Sequence, residues 1–234
     1  MADNRKKILG VGTIMAIVFI VILTVMFTPI FGGKNAFEAA DNFFNSIAKG
    51  STYFLPGLMK DSESYNGKTI DVTVKLPNQA MTATAVKLFK ASGALVGEGE
   101  SLRIAGDLGQ ISRAALQDAD AMFFNRGKEV ADKYGVPEKE VLFTWWTAFK
   151  EMEKDLKRQK KFAEAAWLTN ASKRGLEVGY NFYRIELRKV SAAAGMLLFS
   201  LVFYVAYTLW WGYAILFLFE GAGLQMKAGA KKEV

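Results

Sequence analysis

Two stretches of this chain carry no charge for longer than a soluble fold ordinarily tolerates: residues 8–30, and the run between Lys189 and Glu220. About 20 apolar residues in a helix cross the hydrocarbon core of a bilayer. In lipid, moreover, the backbone of a single segment can satisfy its own polar groups only as a helix. The expected architecture is therefore a membrane protein of α+β class. Two transmembrane helices, at 8–31 and 191–219, flank a mainly helical domain with a small β-sheet.

The first stretch exceeds the roughly 7–15 apolar residues of a secretory signal. Phe27-Thr28-Pro29-Ile30-Phe31 is also a poor cleavage site, so the stretch reads as a signal anchor. Gly12 and Ala16 form a small-xxx-small pair where a second helix can approach closely. Ser191 and Gly195 repeat the pattern at the start of the second stretch, which then becomes strongly aromatic. Tyr204 and Tyr207 fall mid-span, where each hydroxyl wants a partner. They are expected on a face packed against another protein helix, with a quinone or lipid contact as the rarer alternative.

The formal net charge is +7, and the basic residues cluster beside the apolar stretches. Arg5, Lys6 and Lys7 precede the first. Arg184, Arg188 and Lys189 precede the second, and Lys227, Lys231 and Lys232 follow it. This is the pattern that lipid headgroups favour, and no arginine-rich stripe with interleaved aromatics points to nucleic acid. Three basic residues before the first span against Lys34 alone close behind it place residues 1–7 in the cytoplasm by the positive-inside rule. The second span returns the tail, 220–234, to the same side. The middle is then expected outside, in the periplasm of a bacterium whose inner membrane holds both spans.

That middle, 32–136, opens with a capping box, Asn35 and Glu38. Phe37, Ala40, Phe44 and Ile47, with Phe43 beside them, fall on one helical face and read as core. Residues 70–76 alternate apolar and polar as a strand, Asn78 caps a helix to about Ala91, and Gly93 stops it. Residues 94–105 are extended and interrupted at Gly97 and Gly99, either as the second strand of a βαβ unit or as a hairpin. Gly97-Glu98-Gly99-Glu100 lacks phosphate-loop spacing, and its glutamates would repel phosphate, so it reads as a solvated turn. Residues 107–134 are mostly helical, with Leu108, Ile111, Ala115, Ala119, Met122 and Phe123 on one face and a kink at Gly127.

All four prolines lie before residue 138. Nothing therefore forces a stop after Pro137, and 137–190 is expected to be a long helical stalk leading into the second span. Leu142, Trp145, Phe149, Met152 and Leu156 follow a 3-4 spacing. On a lone rod that seam would be half of an interface. Gly175 and Gly179 weaken the rod, since interior glycine costs about 1 kcal/mol against alanine.

The chain has neither cysteine nor histidine. Within it there is no thiolate chemistry, no histidine-held metal or haem, and no Ser-His-Asp triad. No cofactor is expected. The function these features imply is a non-catalytic membrane subunit or scaffold, joined to other membrane subunits or to copies of itself. The alternative is an extracytoplasmic sensor, which would need a separate partner to carry its signal.

Overall fold

The computed structural model describes residues 2–97, 99 and 101–224, with backbone alone at 2 and 3. Glu98 and Glu100 of the glycine-rich turn and the basic tail beyond 224 lie outside the described residues. The chain divides into two compact units, residues 1–47 with 188–234 and residues 48–187.

The first unit holds the two apolar helices, α1 (Ala2–Met26) and α10 (Val190–Gly221). Both are long and apolar enough to cross a membrane. They pair antiparallel: Leu9 meets Gly221, Gly12 meets Phe217 and Leu218, and Phe19 meets Tyr207 and Trp211. The ends of α1 and α10 nearest the chain termini therefore lie together. Elsewhere on the pair most of the apolar side chains are bare, with Ala193 an exception at 3% exposure. Only 11% of the most apolar window of α1 and 6% of that of α10 is buried.

The helix α2 (Ala36–Ser51) begins as its sequence dictates. The Asn35 N–H donates to Glu38 Oε2 at 3.1 Å, and the Glu38 N–H donates to Asn35 Oδ1 at 2.9 Å. Its apolar face does not form core as expected. Phe37, Ala40 and Phe44 are exposed and Ile47 is half-buried, whereas the polar Ser46 and Lys49 are buried.

The second unit is built on a three-stranded sheet of order β1 (Thr69–Val74), β3 (Leu102–Asp107), β2 (Leu95–Gly97). In β1 the side chains alternate, so that Ile70, Val72 and Val74 are buried. Both readings of 94–105 hold in part. β2 and β3 are an antiparallel hairpin, and β1 also pairs antiparallel with β3. β1 and β2 thus run parallel with β3 between them, a split βαβ arrangement connected by α4 (Gln79–Ala91). Asn78 caps α4 by accepting the Met81 N–H at 2.8 Å. The open edge of β1 is covered by side chains: the Thr73 N–H donates to Asp155 Oδ2, and Gln159 Nε2 donates to the Asp71 carbonyl. An uncovered edge would be a template for pairing with other chains.

The helices α4, α5 (Leu108–Phe123) and α7 (Glu138–Arg158) pack on the sheet, and α3 (Leu55–Ser62), α6 (Gly127–Tyr134), α8 (Phe162–Ala171) and the short α9 (Glu177–Asn181) pack in turn on α5 and α7. The expected kink at Gly127 is instead a full break just before it, where Asn125 adopts φ 60°. The larger correction concerns the stalk. There is no continuous helix from 137 into α10. α7 ends at Arg158, Lys160 turns left-handed at φ 60°, and α8 folds back against α7. Five residues of π-helix, Ser172–Leu176, follow, and residues 182–189 are a loop.

The seam is corrected with it. Leu142, Trp145, Phe149, Met152 and Leu156 are all 0% exposed in the core of this unit. Their partners are helices and strands of the same chain, not an absent second protein.

Candidate functional site

The helix pair of the first unit is built by one glycine from each helix near the chain termini and by aromatic rings farther along. A Cβ at Gly12 would come within 2.8 Å of Leu218 N, so glycine alone permits this approach. Gly221 plays the same part against Leu9, whose Cα a Cβ would meet at 2.6 Å. Ala16 is half-buried one turn beyond Gly12. Phe19 stacks on Tyr207 at 4.2 Å and on Trp211 at 4.5 Å between centroids. The Trp210 Nε1–H donates to the Met15 carbonyl at 3.2 Å.

Of the residues singled out in the sequence for helix packing, Gly12 and Tyr207 lie at the contact between α1 and α10. Ser191 and Gly195 are exposed, with open space where a Cβ on Gly195 would stand. Tyr204 is 68% exposed. The hydroxyl of Tyr207 is buried and makes no hydrogen bond within the described residues. Phe19, Trp210, Trp211, Ala214 and Gly221 were not singled out in the sequence, because in a uniformly apolar helix no periodicity marks one face.

Of the expected headgroup residues, Arg5, Lys6 and Lys7 are exposed at the start of α1, and Arg188 and Lys189 are exposed just before α10. Arg184 belongs to the second unit and has a different setting. Its backbone is left-handed at φ 66°, its N–H donates to Asn125 Oδ1 at 2.7 Å, and its guanidinium reaches Glu138 Oε1 at 3.3 Å. Glu138 opens α7, where its own backbone N–H and then the Tyr183 hydroxyl hold its carboxyl below the usual range. The loop before α10 is tied down again by Lys49. Its ammonium donates to the carbonyls of Phe182 at 3.0 Å and Ile185 at 2.6 Å, and burial lowers its pKa against the opposing charge of Glu186.

The densest buried polar cluster centres on Asp118, which is 3% exposed. Its Oδ2 accepts the Tyr134 hydroxyl at 2.7 Å and the Trp145 Nε1–H at 2.9 Å, and its Oδ1 accepts Lys133 Nζ at 3.0 Å. Burial first, and then the Asp118 charge, push the Tyr134 phenol far up. With three donors already aimed at it, this carboxylate ties α5, α6 and α7 together. A signal for it was present in the sequence: Asp118 lies three residues after Ala115 and seven after Ile111, on the apolar face of α5.

Two shallow hollows open on this unit. One is bounded by the start of α4 and the strand ends, at Val74, Asn78, Thr82 and Leu102. The other lies beside Asp118, among Met59, Arg126, Glu129 and Lys133. No group of three His, Cys, Asp or Glu side chains that could hold a metal occurs among the described residues. Comparison with family models, curated proteins and solved structures finds no match to this chain.

Proposed function

We propose that this chain is a two-pass membrane protein acting as a non-catalytic subunit or scaffold of a larger membrane assembly. Residues 48–187 would form the part that meets partners outside the bilayer. The observation that carries the reading is the pair α1 and α10, two long apolar helices whose outer surfaces the rest of the chain leaves bare. Large bare apolar surfaces mark contact with lipid or protein. The antiparallel pairing agrees with both termini lying on one side of the membrane. The basic residues ahead of α1 favour the cytoplasm for that side, and hence the periplasm of a bacterial inner membrane for residues 48–187. The absence of cysteine and histidine argues for a part without its own redox or metal chemistry.

Alkaline carbonate extraction tests insertion, and the chain is expected to stay in the membrane pellet. A reporter at the C-terminus is expected to be active only when cytoplasmic. Purification in mild detergent with native mass measurement is expected to yield a complex with other membrane subunits or further copies of this chain. A lone monomer would overturn the assembly reading.

A further inference from the structure

In a water-soluble protein an amphipathic helix turns its apolar arc inward and its polar arc to solvent. The 36–47 part of α2 instead leaves its apolar arc outward, beside the exposed Glu38, Asp41 and Asn42. Phe37 and Phe44 are 47% and 46% exposed, and Ala40 is exposed between them, while Ser46 on the opposite side is 5% exposed. The bare face is continuous with the end of α1. The Phe27 and Phe37 ring centroids lie 4.9 Å apart, and Phe27, Ile30 and Phe31 are exposed as well.

The lengths of the two apolar helices supply a second, independent observation. The 32 residues of α10 extend about 48 Å, whereas the apolar part of α1, 8–26, extends only 28 Å on the same rise per residue. The pairing runs from Leu9 and Gly221 to Phe19 and Tyr207, so the first turns of α10 continue past Met26. Residues 27–47 bridge the difference. They run from Phe27 to Ser46, whose carbonyl accepts the Arg188 N–H at 3.0 Å just before α10 begins.

We propose that the Phe37–Phe44 face of α2 is a lipid contact, seated among acyl chains in the interfacial zone at the Met26 end of the helix pair. Amphipathic helices bind this zone through their apolar face, and here that face prolongs the apolar surface of α1 alongside the longer α10. The proposal rests on the reading that α1 and α10 span the bilayer.

The absence of cysteine makes the test direct. Single cysteines are placed in the full chain at Phe37, Phe44, Asn42 and Ile17, all exposed positions. Each is labelled with an environment-sensitive fluorophore in phosphatidylcholine vesicles, and quenching by shallow nitroxide lipid, deep nitroxide lipid and aqueous iodide is compared. The Ile17→Cys label, in the apolar part of α1, should be quenched by the deep lipid. The Phe37→Cys and Phe44→Cys labels should be quenched several-fold more by the shallow lipid than the Asn42→Cys label, which should respond to iodide. Suppose Ile17→Cys behaves as expected while Phe37→Cys and Phe44→Cys respond only to iodide, or to neither quencher. The span reading then stands and this proposal is overturned, in favour of water in the first case and a covering protein surface in the second. If the Ile17→Cys label escapes both lipid quenchers, the span reading fails and the proposal fails with it.

Discussion

Gly179 separates two physical expectations that pull in opposite directions. Helix propensity alone says that alanine there should gain about 1 kcal/mol. In the fold a Cβ at this position would lie 2.7 Å from the Ala119 carbonyl oxygen and 3.0 Å from its Cα, and backbone cannot move aside as a flexible side chain can. Overpacking of this kind costs about 1–3 kcal/mol. Gly179→Ala is therefore expected to lower stability by up to about 2 kcal/mol in denaturant unfolding of the full chain in detergent. At Gly175 the near atom is instead the end of the Leu116 side chain, which can shift, so alanine there should cost less. Tyr53 provides a pH test. Its hydroxyl donates to Asp120 at 2.8 Å, and burial followed by that carboxylate raises its pKa from the ordinary 10.0 to about 12. A raised folded value means that its stabilisation is complete below pH 10.0 and is lost as pH climbs toward 12. Lys49 has the opposite sign: its lowered pKa adds stability as pH rises toward 10.5. Unfolding measured from pH 9 to 12 should show a stability decline beginning near the ordinary tyrosine value. Tyr53→Phe should make that decline shallower.

At the scale of elements, helix ends decide this fold. After α4, α5, α7 and α10 the chain closes with the same pair of bonds, seen at α7 as the Lys161 N–H to the Leu156 carbonyl and the Lys160 N–H to that of Lys157. Such a Schellman ending needs a left-handed residue, for which glycine is best suited. Gly93 and Gly223 supply it for α4 and α10, whereas Asn125 and Lys160 supply it for α5 and α7. The stop at Gly93 was legible in the sequence. The one at Lys160 was not, because lysine carries no turn signal and sits in a basic run that reads as helix surface. Left-handed backbone costs a non-glycine residue about 1–2 kcal/mol, and glycine returns part of that through its freer unfolded chain. Lys160→Gly is accordingly expected to raise stability by about 0.5–1 kcal/mol, where a continuous stalk would have been weakened. Lys160→Val is expected to lower it, as read by the midpoint of thermal or denaturant unfolding.

At the scale of the whole molecule, residues 48–187 contain the sheet, α3–α9, the Asp118 cluster and the tethers of residues 182–185 at Lys49, Asn125 and Glu138. A unit with its own core can fold alone. Residues 48–187 expressed by themselves are expected to be monomeric in aqueous buffer, strongly helical by circular dichroism, and cooperative in unfolding. A fragment that aggregates or unfolds gradually would mean that the core needs the rest of the chain. The other unit, with bare apolar helices, is expected to need detergent.

Local chemistry was enough for several features, because each depends on residues a few positions apart. The capping box at Asn35 and Glu38, the alternation of 70–76, the Asn78 cap and the two apolar helices all follow from such short spacings. The close approach at Gly12 was legible as well, since only a small residue leaves room there. The tertiary structure decided what spacing cannot carry: which face meets which. The seam from Leu142 to Leu156 looked open until α8 folded back and the sheet lay against it. The place of Asp118 on the apolar face of α5 did not say which groups would satisfy it, until three donors from α6 and α7 converged on it. The phenylalanines of α2 looked like core, yet the buried side of that helix holds Ser46 and Lys49. An amphipathic pattern shows that a helix has two faces, and only the surroundings of each face settle which one is covered.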